Sequence, residues 1–231
     1  MINMYFDTEF TGLRAKTDLI SIGILIGEKL FYAEILNVDV SENTVGKDTY
    51  EFLQSDVFPG LLDGELPTSK MRERTNKGTV IVDEYNMVSK ELIDFLFGYV
   101  NANPKTKICP ISDVMYYDMV LLMDLINHYK PTNNEEYEKV KRVRDAVSPA
   151  GIDINDFISR YKKIDIYKAF DYNREKLLDE FDDISLVFPG KKHNALYDAR
   201  VIRALYKILN SRLSNMNTSQ TPSSIFPEDF Y

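Results

Sequence analysis

Apolar and polar positions alternate with a period of two near the start of the chain and fall into a longer, helical period further on. Ile2 to Phe10 (INMYFDTEF) is a β-prone run that closes on two acids. Asp18 to Gly27 (DLISIGILIG) alternates strictly, setting Ile20, Ile22, Ile24 and Ile26 on one face of a strand. Lys29 to Leu36 (KLFYAEIL) is strand-like again. The pair Gly27-Glu28 between them, with glycine first, suits a type II′ hairpin turn. Three antiparallel strands are therefore expected to open the chain.

Beyond them the pattern changes. Residues 46–78 hold a short helical stretch at Tyr50 to Leu53, but Pro59, Gly60, Gly64 and Pro67 break the rest into loop. Thr79 to Val82 reads as a short strand. Val88 to Val100 has apolar residues at Leu92, Phe95, Leu96 and Tyr99 and reads as a helix, with Ser89 as its N-cap and Asn103-Pro104 as its end. Lys107 to Ile111 is a candidate buried strand, followed by a helix from about Val114 to Tyr129, closed by Pro131. Residues 132–165 are charged and irregular, with one helical stretch at Glu135 to Ala146, and look like an insertion. Ile164 to Phe170 is either a strand or the start of a helix, and Ala195 to Leu213 is a convincing final helix. Strands first, then helix alternating with strand, indicate one α/β domain over residues 1–213 with a mixed sheet, and a polar tail over 214–231 that ends in IFPEDFY.

Composition narrows what such a domain does. With 44% hydrophobic residues in 231, the chain has ample material for a core, which excludes global disorder. The lone Cys109 makes neither an internal disulfide nor a structural zinc site. No run approaches the length of a membrane span, and no charged leader follows Met1, so a cytoplasmic location is the default expectation and no membrane partner is expected. The formal charge of −8 argues against a protein that grips nucleic acid by bulk charge.

The acids are therefore read by position. Asp7 and Glu9 are two apart in a strand, so both side chains leave the same face, at the carboxyl end where α/β proteins usually place their sites. Asp118 interrupts the apolar stripe formed by Val114, Leu121, Leu122, Leu125 and Tyr129. A buried carboxylate there needs a partner: either an Arg or Lys from elsewhere, or a bound cation. Asp113 reads as the helix N-cap, Asp124 as solvated, and His128 as a partner of the helix C-terminal dipole. His193 and Asp198 lie about 140° apart on an ideal helix, which puts His193 on the preceding loop after Gly190 and Asp198 in the first turns. Lys191 and Lys192 either face substrate phosphates or form an ordinary solvated pair. Four carboxylates from three segments make an all-oxygen ligand set, which selects hard cations such as Mg²⁺ or Mn²⁺. A pair of such ions suits phosphoryl chemistry, with His193 as a base of near-neutral pKa.

Phe6-Asp7-Thr8-Glu9-Phe10-Thr11-Gly12-Leu13, then Tyr117-Asp118 opening a Leu-rich helix, then His193 and Asp198 five residues apart, resembles the DEDDh branch of the DnaQ-like 3′–5′ exonucleases. Tyr5 to Phe10 with Leu19-Ile20-Ser21-Ile22-Gly23, and His193-Asn194-Ala195-Leu196 with Asp198-Ala199-Arg200, look most like the RNase AS type of exoribonuclease. That type usually carries a tryptophan before the second motif; here Pro110-Ile111-Ser112-Asp113 stands there and the chain has no Trp. The resemblance implies a ribonuclease-H-like mixed sheet flanked by helices. Asp7, Glu9, Asp118 and Asp198 would hold two Mg²⁺ or Mn²⁺ ions, and His193 would be the general base. Thr8, by its backbone, and Phe10, Thr11, Gly12 and Leu13, by apolar contact, would lie near the 3′-terminal nucleotide. It further implies hydrolysis of single-stranded RNA 3′ ends to nucleoside 5′-monophosphates, and a homodimer. The same chemistry on DNA 3′ ends, as in proofreading or repair exonucleases, is the nearest alternative, and a non-catalytic nucleic-acid-binding module on the same fold a more distant one.

Overall fold

The computed structural model describes residues 1–13, 17–103, 105–181 and 190–218, without the side chains of 216–218. Strands β1 (Ile2–Phe10), β2 (Leu19–Ile26) and β3 (Lys29–Ile35) run antiparallel, as the alternation predicts. Ile26 faces Lys29 across the first hairpin, and the positive φ falls on Gly27 alone of the two loop residues, the type II′ pattern. Helices α1 (Glu42–Val45) and α2 (Lys47–Phe52) follow, and α2 runs into a π turn at Leu53–Val57 and a 3-10 turn at Phe58–Gly60.

Next come β4 (Met71–Thr75), β5 (Gly78–Asp83), α3 (Tyr85–Val100), β6 (Ile108–Ser112), α4 (Met115–His128) and α5 (Asn134–Ala146). The chain then forms β7 (Ile152–Asp153), α6 (Ile154–Lys162), α7 (Ile166–Phe170), α8 (Arg174–Asp179) and α9 (Ala195–Thr218). The seven strands form one mixed sheet in the order β4-β5-β3-β2-β1-β6-β7. β3 pairs β5 in parallel, β6 lies parallel to both β1 and β7, and the remaining neighbours are antiparallel. This is an α/β fold with helices on both faces, consistent with the ribonuclease-H-like class.

Burial reflects the layers. On one face, Met4, Phe6, Ile22, Ile24, Phe31 and Ile81 pack against Leu92 and Leu96 of α3, Leu122 and Leu125 of α4, and Val140 and Val143 of α5. On the other, Tyr5, Leu25 and Ile111 pack against Ala199 and Ile202 of α9. β2 is thus buried on both sides along its whole length, not on the isoleucine face alone. Where α9 crosses it, Gly23 leaves room: a Cβ there would stand 2.3 Å from the Leu196 nitrogen and 2.4 Å from the Ala195 carbonyl.

Several elements differ from expectation. Residues 132–165 are not irregular: α5 fills the main core, β7 extends the sheet, and α6 packs on α9 through Ile154 and Ile158. Ser89 is not an N-cap; Glu84 stands there, and Ser89 sits inside α3, where it donates to the Leu125 carbonyl and accepts from the Tyr129 amide. Asp113 is not the cap of α4 either, since Val114 takes that place. The final helix passes Leu213 and continues to Thr218, so part of the expected tail is helical; Pro104 and residues 219–231, with the IFPEDFY segment, lie outside the described residues. Among the described residues, no helix is long and apolar enough to cross a membrane.

Because no flexible side chain but the α9 backbone itself would meet the added methyl, Gly23→Ala is expected to force α9 off the sheet. The expected cost is about 1–3 kcal/mol, measured as a lower urea midpoint with an unchanged slope.

Candidate metal and phosphoryl-transfer site

β6 pairs in parallel with the first half of β1, Tyr5 facing Ile111, so the carboxyl half of β1 runs on past the end of β6, where α4 and α9 begin. Asp7 and Glu9 share the face of β1 that turns to α9, while Thr8 points the other way and donates its hydroxyl to Asp118 Oδ1 at 2.6 Å. Asp118, in the first turn of α4, is 1% exposed, and its second oxygen has no hydrogen-bond partner. Asp198 enters from the first turn of α9. Gly23 lies directly across from Asp7 in the β1–β2 ladder, so the close approach of α9 at Gly23 is also what carries Asp198 to Asp7.

The carboxylates converge in two groups. Oxygens of Asp7, Glu9 and Asp198 lie within 4.8 Å of one another, as do those of Asp7, Asp113 and Asp118. Asp7 belongs to both. Among the described residues, no Lys or Arg forms an ion pair with Asp7, Glu9, Asp118 or Asp198; Arg174 Nε stands 3.2 Å from Asp113 Oδ2. Burial, then mutual repulsion, raises all four carboxyls. Asp118 is pushed up to about 7, by burial first and then by Asp113, and Asp198 to about 8, likewise. Asp7 and Glu9 are raised well above the ordinary range, again by burial first and then by Asp118 and Asp198.

This arrangement fits divalent cations on two observations. Asp118 offers a buried oxygen that lacks a well-formed hydrogen bond, and every donor is oxygen, the set preferred by Mg²⁺ and Mn²⁺ over zinc. Pairing with Arg or Lys, the alternative open for Asp118, is not found among the described residues.

His193 stands on the loop before α9, as the spacing with Asp198 predicts, in the left-handed region at φ 64°. Its backbone N–H donates to Asp198 Oδ2 at 2.8 Å, so the loop and the carboxylate fix each other. The imidazole is half-buried against the edge of Phe52, and its Nδ1 lies 3.8 Å from Glu9 Oε1, too far for a hydrogen bond. Burial, then Lys192, holds its pKa below the usual histidine value. Asn194 caps α9 by accepting from the Tyr197 amide, while its side-chain amide donates to the Gly60 carbonyl at 2.8 Å.

A cleft of about 830 Å³ opens over these groups. Thr8, Phe10, Gly12, Leu13, Lys192 and His193 line it, and the Phe10 ring is held by stacking on Tyr117. Thr11 does not line it: it is fully buried, and its hydroxyl accepts from the Asp18 amide to close the loop. Lys191 is exposed and is not part of the wall. The opposite wall, Phe170 to Glu175, was invisible in the sequence, since nothing in its local pattern relates it to β1 or α4. Asn194 carried a readable signal, an Asn directly before a helix, which is a preferred N-cap. Outside the cleft, Asp124 accepts from the Tyr85 hydroxyl, and His128 ends α4 with its ring edge-on to Tyr85.

No protein-family model matches the chain, and no curated protein sequence matches it.

A carboxyl whose pKa is raised by folding binds its proton more tightly in the native state, so its neutral form contributes stability that is full near pH 4 and is lost as pH rises through the folded value. For Asp118 and Asp198 that window ends at about 7 and about 8. The metal-free protein should therefore melt at lower temperature at pH 8 than at pH 6, and Asp198→Asn should flatten this slope and raise the metal-free Tm at pH 8. A gain of about 2 kcal/mol corresponds to about 4–8 °C at this chain length.

Proposed function

We propose that this chain is a metal-dependent 3′–5′ exoribonuclease of the DEDDh type, releasing nucleoside 5′-monophosphates. The observation that carries the reading is the Asp118 carboxylate, fully buried among other acids with one oxygen unpartnered. A buried like-charge cluster of this kind calls for a cationic counterpart, and the described side chains supply none to Asp118. Asp7, Glu9 and Asp198 would hold one divalent ion and Asp7 with Asp118 the other, Asp7 being common to both groups. When bound, such a pair lowers the pKa of an attacking water and neutralises charge on the phosphate and its leaving oxygen.

The chain's own groups do the rest. His193, with a pKa below its usual value, is unprotonated at neutral pH and accepts the proton of the attacking water through its ring. Its position is set by the backbone contact to Asp198 and by packing on Phe52. Phe10 and Leu13 give an apolar wall for the terminal nucleoside, and Lys192 sets one positive charge on the cleft for a phosphate. The 3′-to-5′ polarity and the preference for RNA rest on the motif resemblance. Asp7, Glu9, Asp198 and His193 line one cleft, and the buried Asp118 lies within reach of Asp7, an arrangement that speaks against a non-catalytic module.

With Mn²⁺ or Mg²⁺, a 3′-OH oligoribonucleotide should shorten stepwise to 5′-monophosphates, and EDTA should stop the reaction. His193→Ala should lower kcat by about 10²–10⁴, and Asp118→Asn should lose activity to a similar or greater degree. Full activity of Asp118→Asn would refute the assignment. A DNA strand of the same sequence should be degraded more slowly, because it lacks the 2′-OH; equal or faster cleavage of DNA would move the reading to an exodeoxyribonuclease.

A further inference from the structure

Asp113 lies outside the four-carboxylate motif set, yet it stands in the site. It comes directly after β6, and one of its oxygens lies within 4.8 Å of oxygens from Asp7 and Asp118. In an octahedral Mg²⁺ shell with bonds of about 2.1 Å, ligand oxygens are about 3 Å apart in cis and about 4.2 Å in trans. Asp118, whose second oxygen is buried and without a hydrogen-bond partner, is a member of this same group.

The backbone and the side chain of Asp113 are held differently. Its backbone is fixed, because the Asn155 side-chain amide donates to the Asp113 carbonyl. No hydrogen bond from the described residues reaches its side chain. Its one ionic partner is Arg174, whose Nε stands 3.2 Å away without hydrogen-bond alignment. Arg174 does not depend on Asp113 for its own position. Its terminal nitrogens donate to the carbonyls of Phe170 at 2.8 Å and Tyr172 at 3.0 Å, and to Asn155 Oδ1 at 3.0 Å. The guanidinium is therefore a fixed positive charge beside a carboxylate that no hydrogen bond from the described residues holds.

We propose that Asp113 is a fifth carboxylate of the site, shared between Arg174 and the divalent ion that Asp7 and Asp118 hold. The proposal rests on the metal-dependent reading above. Asp113 strengthens that ion's binding, and Arg174, by drawing Asp113 away and by its own charge, weakens it. Neither residue belongs to the group that holds the other ion, Asp7, Glu9 and Asp198, so that ion feels their charges only at longer range. The two ions thus differ in affinity, and the weaker one is set from the cleft wall of Phe170 to Glu175.

The test is Mn²⁺ binding to the full chain without substrate, monitored by calorimetry and by the electron paramagnetic resonance of free Mn²⁺. The parent should bind a pair of ions, one of them lost in Asp118→Asn and the other in Asp198→Asn. Asp113→Asn should weaken the Asp118-dependent ion by about tenfold or more and change the other by a clearly smaller factor. Arg174→Gln should tighten the same ion several-fold, an opposite sign that misfolding does not produce, and melting curves accompany each variant. Two ions bound with unchanged affinity in Asp113→Asn, or a weaker Asp118-dependent ion in Arg174→Gln, would overturn this inference alone. No Mn²⁺ bound by the parent would overturn the metal-dependent reading and this inference with it.

Discussion

Five carboxylates from three separate segments are brought together, and among the described residues Arg174, paired with Asp113, and Lys192, on the cleft wall, bring positive charge near them. Burial and repulsion both oppose the ionisation of Asp7, Glu9, Asp118 and Asp198, so the metal-free site holds its charge at the expense of stability. That cost is tolerable only in a scaffold rigid enough to impose it. The sheet meets this need: β1 is buried from Met4 to Glu9, β2 along its whole length, and helices cover both faces. A surface cluster of the same acids would splay apart in water.

The scaffold imposes the crowding through contacts that have no charge at all. Gly23 lets the α9 backbone lie directly on the sheet opposite Asp7, which fixes the height at which Asp198 enters. Thr8, on the reverse face of β1, reaches Asp118 and ties α4 to the strand that carries Asp7 and Glu9. Asn194 caps α9 and joins it to the turn at Gly60, so His193, one residue earlier, is held in a left-handed conformation beside the acids. Each tie is short and local. Together they determine the relative position of every candidate catalytic group.

The acidic balance of the chain takes on a different meaning in this setting. A net charge of −8 excludes a broad basic surface for nucleic acid, and the structure concentrates part of that negative charge at the floor of a single cleft. On the proposed reading, bound cations reverse the local field there, so attraction for a phosphate is confined to the reacting end. An enzyme that removes one terminal nucleotide at a time needs such a short contact and no long basic track.

The chain by itself determined its strongly periodic elements: β1 to β3 with their turn, the buried β6, helices α3, α4 and α9, and the motif acids that fall on them. Strict alternation and apolar stripes carry that information because they record burial on one face of one element. The tertiary structure decided what has no such record. β4 has all five residues exposed and no apolar alternation, and it is held by backbone pairing with β5 and by Arg72 and Arg74 on the buried Glu91. Residues 132–165 look polar in sequence, yet a few apolar positions of α5 complete the core. Asp113 has the local appearance of a helix cap, and only the meeting of β1, β6 and the Arg174 wall makes it a member of the site. Spacing along one element is set by local geometry, whereas the distance between carboxylates far apart in sequence depends on how closely α4 and α9 pack on the sheet.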